Sequence, residues 1–262
     1  MHDTAYELGS LFFATYLSAN ASRVLDVGSQ DVNGTLRNAC PTRCAFTGID
    51  LSPGPGVDLV LTDAHSYPFR DNYFDIVVST SCFEHDQFFW LTFIEVARVT
   101  KFGGFIYINC PSNGNYHGYP LDHWRFYPDA GLALEAWSSV QDAHLVLVES
   151  FIAFRKNDIW NDYVMVYFKG MKEEIPTKKF MSESYDCCNV RRFDKDGLQR
   201  FSAQTEDRVL LLNGRTNDEY RIYPGIRTLG SSFESCEARI ASARRRIIAV
   251  QRAVNSLEAV LE

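Results

Sequence analysis

No stretch of this sequence is long and apolar enough to span a bilayer. The best candidate, LGSLFFATYLSA at 8–19, falls short of the roughly 20 residues a spanning helix needs. The acids Asp3 and Glu7 stand where a signal peptide carries positive charge. The segment therefore reads as an amphipathic leading helix, with no export signal and no membrane partner. A basic excess is also missing. The net charge of −7 over 262 residues argues against nucleic acid as a partner, because phosphate binding needs a positive footprint. No Cys-x-x-Cys pair occurs among the seven cysteines at 40, 44, 82, 110, 187, 188 and 236. Cys40 and Cys44 have no second ligand pair nearby, so no structural zinc site is expected. Free thiols in a reducing cytoplasm are the simpler reading.

What is present is a regular alternation. Short β-rich runs stand at 23–28 (RVLDVG), 45–51 (AFTGIDL), 57–62 (VDLVLT), 74–80 (FDIVVST), 104–110 (GFIYINC), 143–150 (AHLVLVES) and 162–169 (DYVMVYFK). The first, fourth and fifth are nearly continuous apolar segments, as central strands covered on both faces must be. Helices are predicted at 31–40, 87–100 and 128–137. The pattern predicts a doubly wound α/β domain with a seven-stranded, mostly parallel sheet over residues 1–170.

Residues 171–231 are polar and weakly periodic, and predict an irregular connection in which 208–214 (RVLLLNG) could form a lone strand. In residues 232–262, Phe233, Cys236, Ile240, Ala243, Ile247, Val250, Val254, Leu257 and Leu261 are spaced alternately by three and four. That a/d seam favours a coiled-coil helix, and hence a homo-oligomer or a tethered partner, over a helix lying on its own domain. The seam stops mid-pattern, which leaves open a longer parent protein.

The corner at 24–34, VLDVGSQDVNG, poses the functional question. A strand ending in glycine offers backbone N–H groups to a ligand at the carboxyl edge of the sheet. The close glycine triplet of dinucleotide enzymes is absent, since Gly28 and Gly34 are the only glycines here. The next strand ends supply more. Asp50 in GIDL is placed to accept ribose hydroxyls. In TDAHSYPF, Asp63 can accept an adenine amino group and the Ala64 amide can meet a ring nitrogen.

The ordered set VLDVGS…NG, GIDLS, TDAHSYPF, FDIVVSTSCFEH and VTKFGGFIYI resembles the class I S-adenosylmethionine-dependent methyltransferases over about residues 20–170, with DVGSQDVNG in place of their usual D-x-G-x-G-x-G. The resemblance implies a Rossmann-like methyltransferase fold and S-adenosylmethionine as cofactor. It places Asp26 and Gly28 at the methionine moiety, Asp50 at the ribose, and Asp63 with Ala64 at the adenine, with Ser29, Gly34 and Leu51 among the other cofactor-binding residues. Ser79 and Thr80 would line the methionine end. An NPPY-like tetrad, the mark of nucleic-acid substrates, is absent after the fourth run, where STSC stands.

Candidates for acceptor chemistry fall in two places. One is Glu84–His85, where the histidine is either functional or a capping or core residue. The other is the insertion at 111–130, PSNGNYHGYPLDHWRFYPDA, rich in titratable and aromatic side chains at the ligand edge. Its PLDHWRFYPDA stretch resembles a methyltransferase subgroup found among glycan and surface-polysaccharide genes. That likeness implies a sugar, glycan or similar small polar acceptor. His123 or His117 would be the base, since neutral imidazole suits that task, with Asp122 orienting it and His85 as a further candidate. Trp124 is a stacking platform or a lid anchor, and Arg125 pairs with Asp122 or Asp129 or contacts substrate. No metal is assigned, because a paired-carboxylate site would need Glu84, Asp86 or Asp122 to converge. The expectation is a cytoplasmic O-methyltransferase. A small-molecule N- or O-methyltransferase, or a scaffold on a methyltransferase fold, is the alternative.

Overall fold

The computed structural model describes residues 2–118, 121–156, 160–176 and 179–203. The predicted strand at 208–214 and the coiled-coil helix at 232–262 lie outside them. Eight strands form one sheet: β1 (Arg23–Val27), β2 (Ala45–Asp50), β3 (Leu59–Val60), β4 (Phe74–Thr80), β5 (Thr100–Pro111), β6 (Leu145–Ala153), β7 (Asp162–Lys169) and β8 (Cys187–Arg192). Their order is β3-β2-β1-β4-β5-β7-β6-β8. The first five are parallel, and β7, β6 and β8 pair antiparallel. This is the Rossmann-like methyltransferase fold. The sequence predicts seven of these strands. The eighth, β8, extends the sheet past residue 170, and its charged flanks hide it: an edge strand needs only one apolar face.

Alternation along each strand sorts the core into two layers. Leu25, Val77, Ile106, Met165 and Tyr167 face α2 (Phe89–Val99) and α3 (Ala130–Val140), where they meet Phe93, Val96 and Leu134. Val24, Ile76, Val78, Tyr107 and Val166 face the other way. They pack on α1 (Asp3–Tyr16), whose Leu8, Phe12 and Tyr16 recur at i, i+4 and i+8 and so share one stripe. Burying each such side chain contributes about 1.5–3 kcal/mol, which holds the leading helix on the sheet. Among the described residues no helix is long and apolar enough to cross a membrane.

The helix predicted at 31–40 does not form. Only a 3₁₀ turn at Leu36–Asn38 stands there, with the Thr35 hydroxyl accepting the Arg37 amide. Gly34 adopts φ 124° and its amide donates to the Asp31 carboxylate at 2.7 Å. An Asp side chain that bonds its own downstream backbone competes with the helix ladder, and ten residues are too few to nucleate past that.

One irregularity positions a buried acid. Against β7 the register of β6 shifts between Leu147 and Glu149. Leu147 faces the α2–α3 layer, while Val148, Phe151 and Ala153 all face α1. The extra residue changes the parity of the strand and turns Glu149 toward α1. There its carboxylate accepts the Tyr16 hydroxyl at 2.5 Å and the Met181 and Ser182 amides at 2.7 and 3.1 Å.

Candidate active site

The carboxyl ends of β1, β2 and β4 meet at Gly28. The Gly28 and Ser29 amides donate to the Ile49 carbonyl at 3.0 and 3.1 Å, and Gly28 has φ 79°. A Cβ there would lie 2.6 Å from the Cys82 Sγ. Only glycine lets the loop after β4 close over this turn. Beside it, Asp26 is buried in β1 between Gly48 and Val78 of the neighbouring strands. Burial pushes its carboxyl up to about 7, with Arg37 lowering it and Asp50 raising it. The Ser79 hydroxyl donates to the Val27 carbonyl at 2.9 Å. Ser29 Oγ and Thr80 Oγ1 are buried without hydrogen-bond partners.

Asp50 closes β2 and accepts the Gln30 and Ser52 amides, both at 3.2 Å, one on each carboxylate oxygen. The adjoining Leu51 is exposed. Asp63 is exposed past β3, its carboxylate fixed by the His65 amide at 2.9 Å, with Ala64 half-buried next to it. These are polar groups braced by their own loops, with lone pairs left over. A cationic methionine moiety fits the buried Asp26 carboxyl and the orphaned Ser29 and Thr80 hydroxyls. Ribose hydroxyls fit Asp50.

The second half of the site is built across the sheet edge. The chain after β4 and the insertion after β5 are pinned together by backbone: the His123 and Trp124 amides donate to the Glu84 carbonyl at 2.8 and 3.2 Å. The Trp124 indole N–H donates to the Asp86 carbonyl at 2.9 Å, and its ring lies 5.5 Å from Phe89 and 6.1 Å from Trp90. These contacts tie Trp124 to the segment 86–90 while leaving the ring partly exposed. Arg125 clamps Asp122 with two bonds of 2.5 and 2.7 Å, whereas Asp129 pairs with Arg191. The Asp122 carboxyl is held at about 2 by the Arg125 guanidinium and the His117 amide, which outweigh its partial burial.

These pins bring His85, His117 and Asp122 together and leave His123 exposed, engaged through its backbone. The His117 Nδ1 is 3.2 Å from Asp122, and its ring centroid is 5.0 Å from that of His85. Partial burial lowers the His117 pKa, against the Asp122 carboxylate, which raises it. The carboxylates do not converge as a paired-carboxylate metal site requires. Asp86 turns to the Phe88 amide and the Thr92 hydroxyl, and Asp122 to Arg125. Instead Glu84 meets two imidazoles: single ligand atoms of Glu84, His85 and His117 all lie within 4.8 Å of one another. Glu84 is fully buried, which pushes its carboxyl up to about 8. Trp160 completes this wall, its ring 4.7 Å from His117. A Cβ on Gly114 would lie 2.0 Å from the indole, so only a glycine admits it. Neither Trp160 nor the meeting of Glu84 with His117 has a local signal in the sequence.

A cavity of about 600 Å³ lies at the opposite ends of β4 and β5, lined by Tyr16, Asn20, Asp75, Lys101 and Phe105. It is remote from Gly28 and from the histidines.

The fold is similar to that of S-adenosylmethionine-dependent methyltransferases. Residues 25–108 match the family model described as a methyltransferase domain. Among curated proteins, phthiotriol/phenolphthiotriol dimycocerosates methyltransferase 1 of Mycobacterium ulcerans (strain Agy99) is 31% identical over 113 residues, 36% of this chain and 39% of that protein. The chain therefore spans about two fifths of the length of that relative. Among solved structures, the Burkholderia thailandensis 1,6-didemethyltoxoflavin-N1-methyltransferase, holding 1,6-didemethyltoxoflavin and S-adenosylhomocysteine, aligns with a TM-score of 0.52 at 16% identity, covering 64% of this chain and 79% of that one. A putative sarcosine dimethylglycine methyltransferase from Galdieria sulphuraria aligns at 0.45 and 16%, covering 64% and 85%.

Proposed function

We propose that this protein methylates a hydroxyl of a small polar acceptor, of the sugar or glycan class, using S-adenosylmethionine. The observation that carries this reading is the seam between 84–86 and 121–125, which sets a histidine–carboxylate cluster beside the cofactor corner. When bound, S-adenosylmethionine supplies a methyl group on a sulfonium for in-line displacement by the acceptor oxygen. Asp26, Ser29 and Thr80 hold the methionine end, Asp50 the ribose, and Asp63 with the Ala64 amide the adenine. An acceptor hydroxyl must lose its proton as its oxygen gains the methyl group. An imidazole, that of His85 or His117, takes that proton, and general-base help of this kind is worth about 10²–10⁴-fold in rate. Asp122, fixed by Arg125, orients His117. His123 stands at the mouth as a further proton acceptor.

The exposed rim of the insertion, Tyr116, Leu121 and Tyr127, supports a second reading: an acceptor with an apolar portion, such as a natural product. The a/d seam at 232–262 supports self-association or a tether through the tail. The charge of −7 supports an acceptor other than nucleic acid. Six described cysteines are free thiols, in keeping with a cytoplasmic setting.

The test is a calorimetric titration with S-adenosylmethionine, S-adenosylhomocysteine and NAD in parallel, followed by acceptor screening. Micromolar binding of the first two alone supports the reading. No binding of either returns the protein to the scaffold class.

A further inference from the structure

We infer that Glu84, His85 and His117 form a binding site for one divalent first-row transition ion, at the acceptor side of the cofactor corner. The inference deepens the functional reading and rests on it only for the ion's task, not for the ion's binding.

Three observations carry it. The three side chains offer one carboxylate and two imidazole ligand atoms within 4.8 Å of one another. Ligands of one ion at metal–ligand distances near 2.1 Å sit roughly 3–3.5 Å apart, so modest side-chain rotations close the set. Next, Glu84 Oε2 is buried with no hydrogen-bond partner, while Oε1 faces the His85 Nε2 at 3.7 Å. An orphaned carboxylate oxygen inside a protein costs about 1–3 kcal/mol or more, and this one lies among nitrogen donors that a cation would share. Last, both histidines have the outer contacts that metal ligands use. His85 donates its Nδ1–H to the Leu121 carbonyl, which leaves Nε2 bare toward Glu84. The His117 Nδ1 lies 3.2 Å from the Asp122 carboxylate and 3.4 Å from the Arg125 Nη2; with the Nδ1 proton turned to Asp122, the Nε2 lone pair is the one offered to an ion. A carbonyl or carboxylate behind each ring fixes the tautomer and raises ligand basicity.

Two imidazoles and one carboxylate suit zinc, cobalt, nickel, manganese or ferrous iron better than magnesium or calcium, which prefer oxygen. Three protein ligands leave coordination positions open, the mark of a site that also takes substrate. With the ion bound, His85 and His117 would serve as ligands in place of the base role given to them above, and the ion would acidify a coordinated acceptor hydroxyl whose proton would pass to solvent.

The experiment uses full-length protein freed of metal by chelator dialysis and titrated with Co(II), read by visible absorption, and with Zn(II), read by calorimetry. We expect one equivalent bound, nitrogen and oxygen ligation without sulfur charge-transfer bands, and binding weakened at least tenfold in each of Glu84→Gln, His85→Gln and His117→Gln. Mg(II) at the same concentration should not compete. Adenosylhomocysteine affinity and Tm, measured on every variant, confirm that each one folds. Failure to bind either ion, sulfur bands that place the ion on cysteines, or unchanged affinity in all three folded variants would each overturn the site. Adenosylhomocysteine binding without metal binding sinks this inference alone. Metal binding without adenosylhomocysteine binding sinks the methyltransferase reading alone.

Discussion

Two buried glutamates, one inside β6 and one in the loop after β4, show how the same residue serves two purposes. Glu149, turned inward by the bulge in β6, has three donors: the Tyr16 hydroxyl and the amides of Met181 and Ser182. Glu84, buried just as deeply, keeps one oxygen without any donor. Burial raises the pKa of both. What separates them is completeness. A fully satisfied acid ties α1 and the 180–182 turn to the sheet, whereas a half-satisfied one is a stability cost retained for a ligand.

That contrast can be broken at several points. Glu149→Ala should cost the most stability, about 3 kcal/mol or more, because it strands a hydroxyl and two amides. For a domain of this size that is roughly 6–12 °C in Tm, and a loss under 2 °C would show that the acid does not hold the helix. Asp26 comes next. Its folded pKa is raised from 3.8 to about 7, so the folded state keeps its proton over a window in which the unfolded chain has lost it. Stability from this group is present below about pH 4 and is lost as pH rises toward 7, an effect of order 2–4 kcal/mol. Urea denaturation of the ligand-free protein and of Asp26→Asn should diverge across that window; parallel curves would contradict the burial argument. Asp50→Ala should weaken adenosylhomocysteine binding by about 1–3 kcal/mol, read by calorimetry, and unchanged affinity would remove Asp50 from the ribose site. Smallest is Glu84→Gln. A protonated carboxyl and its amide are near-isosteres, so at neutral pH the Tm should stay within about 1 °C; a large fall would make Glu84 structural like Glu149.

The central strands, and the place of Asp26, Asp50 and Asp63 at or near strand ends, were legible because both are local signals. Continuous apolar runs mark strands covered on both faces, and Asp26, Asp50 and Asp63 each sit where such a run ends. The missing helix after Gly34 turned on a side-chain bond from Asp31, which hydrophobic periodicity does not register. The inward turn of Glu149 depended on one extra residue in β6, and a period-two reading of LVLVES places that acid on the other face. The meeting of Glu84 with His117 was beyond reach for another reason. It depends on two amides at 123 and 124 closing on one carbonyl 39 and 40 residues earlier, a match between loops that no spacing encodes. The nearby histidine with the clearest sequence claim, His123, spends its backbone on that closure and keeps its ring outside.

The carbonyl of Glu84 has a further consequence. Because the insertion is fastened there through main-chain amides, its hold does not depend on the identity of the rim side chains. Tyr116, Leu121 and Tyr127 can be exchanged while the trunk of the loop still delivers His117 and Asp122 to the same place. The loop is a cassette on a fixed hinge, and acceptor preference could be retuned by grafting its outer residues alone.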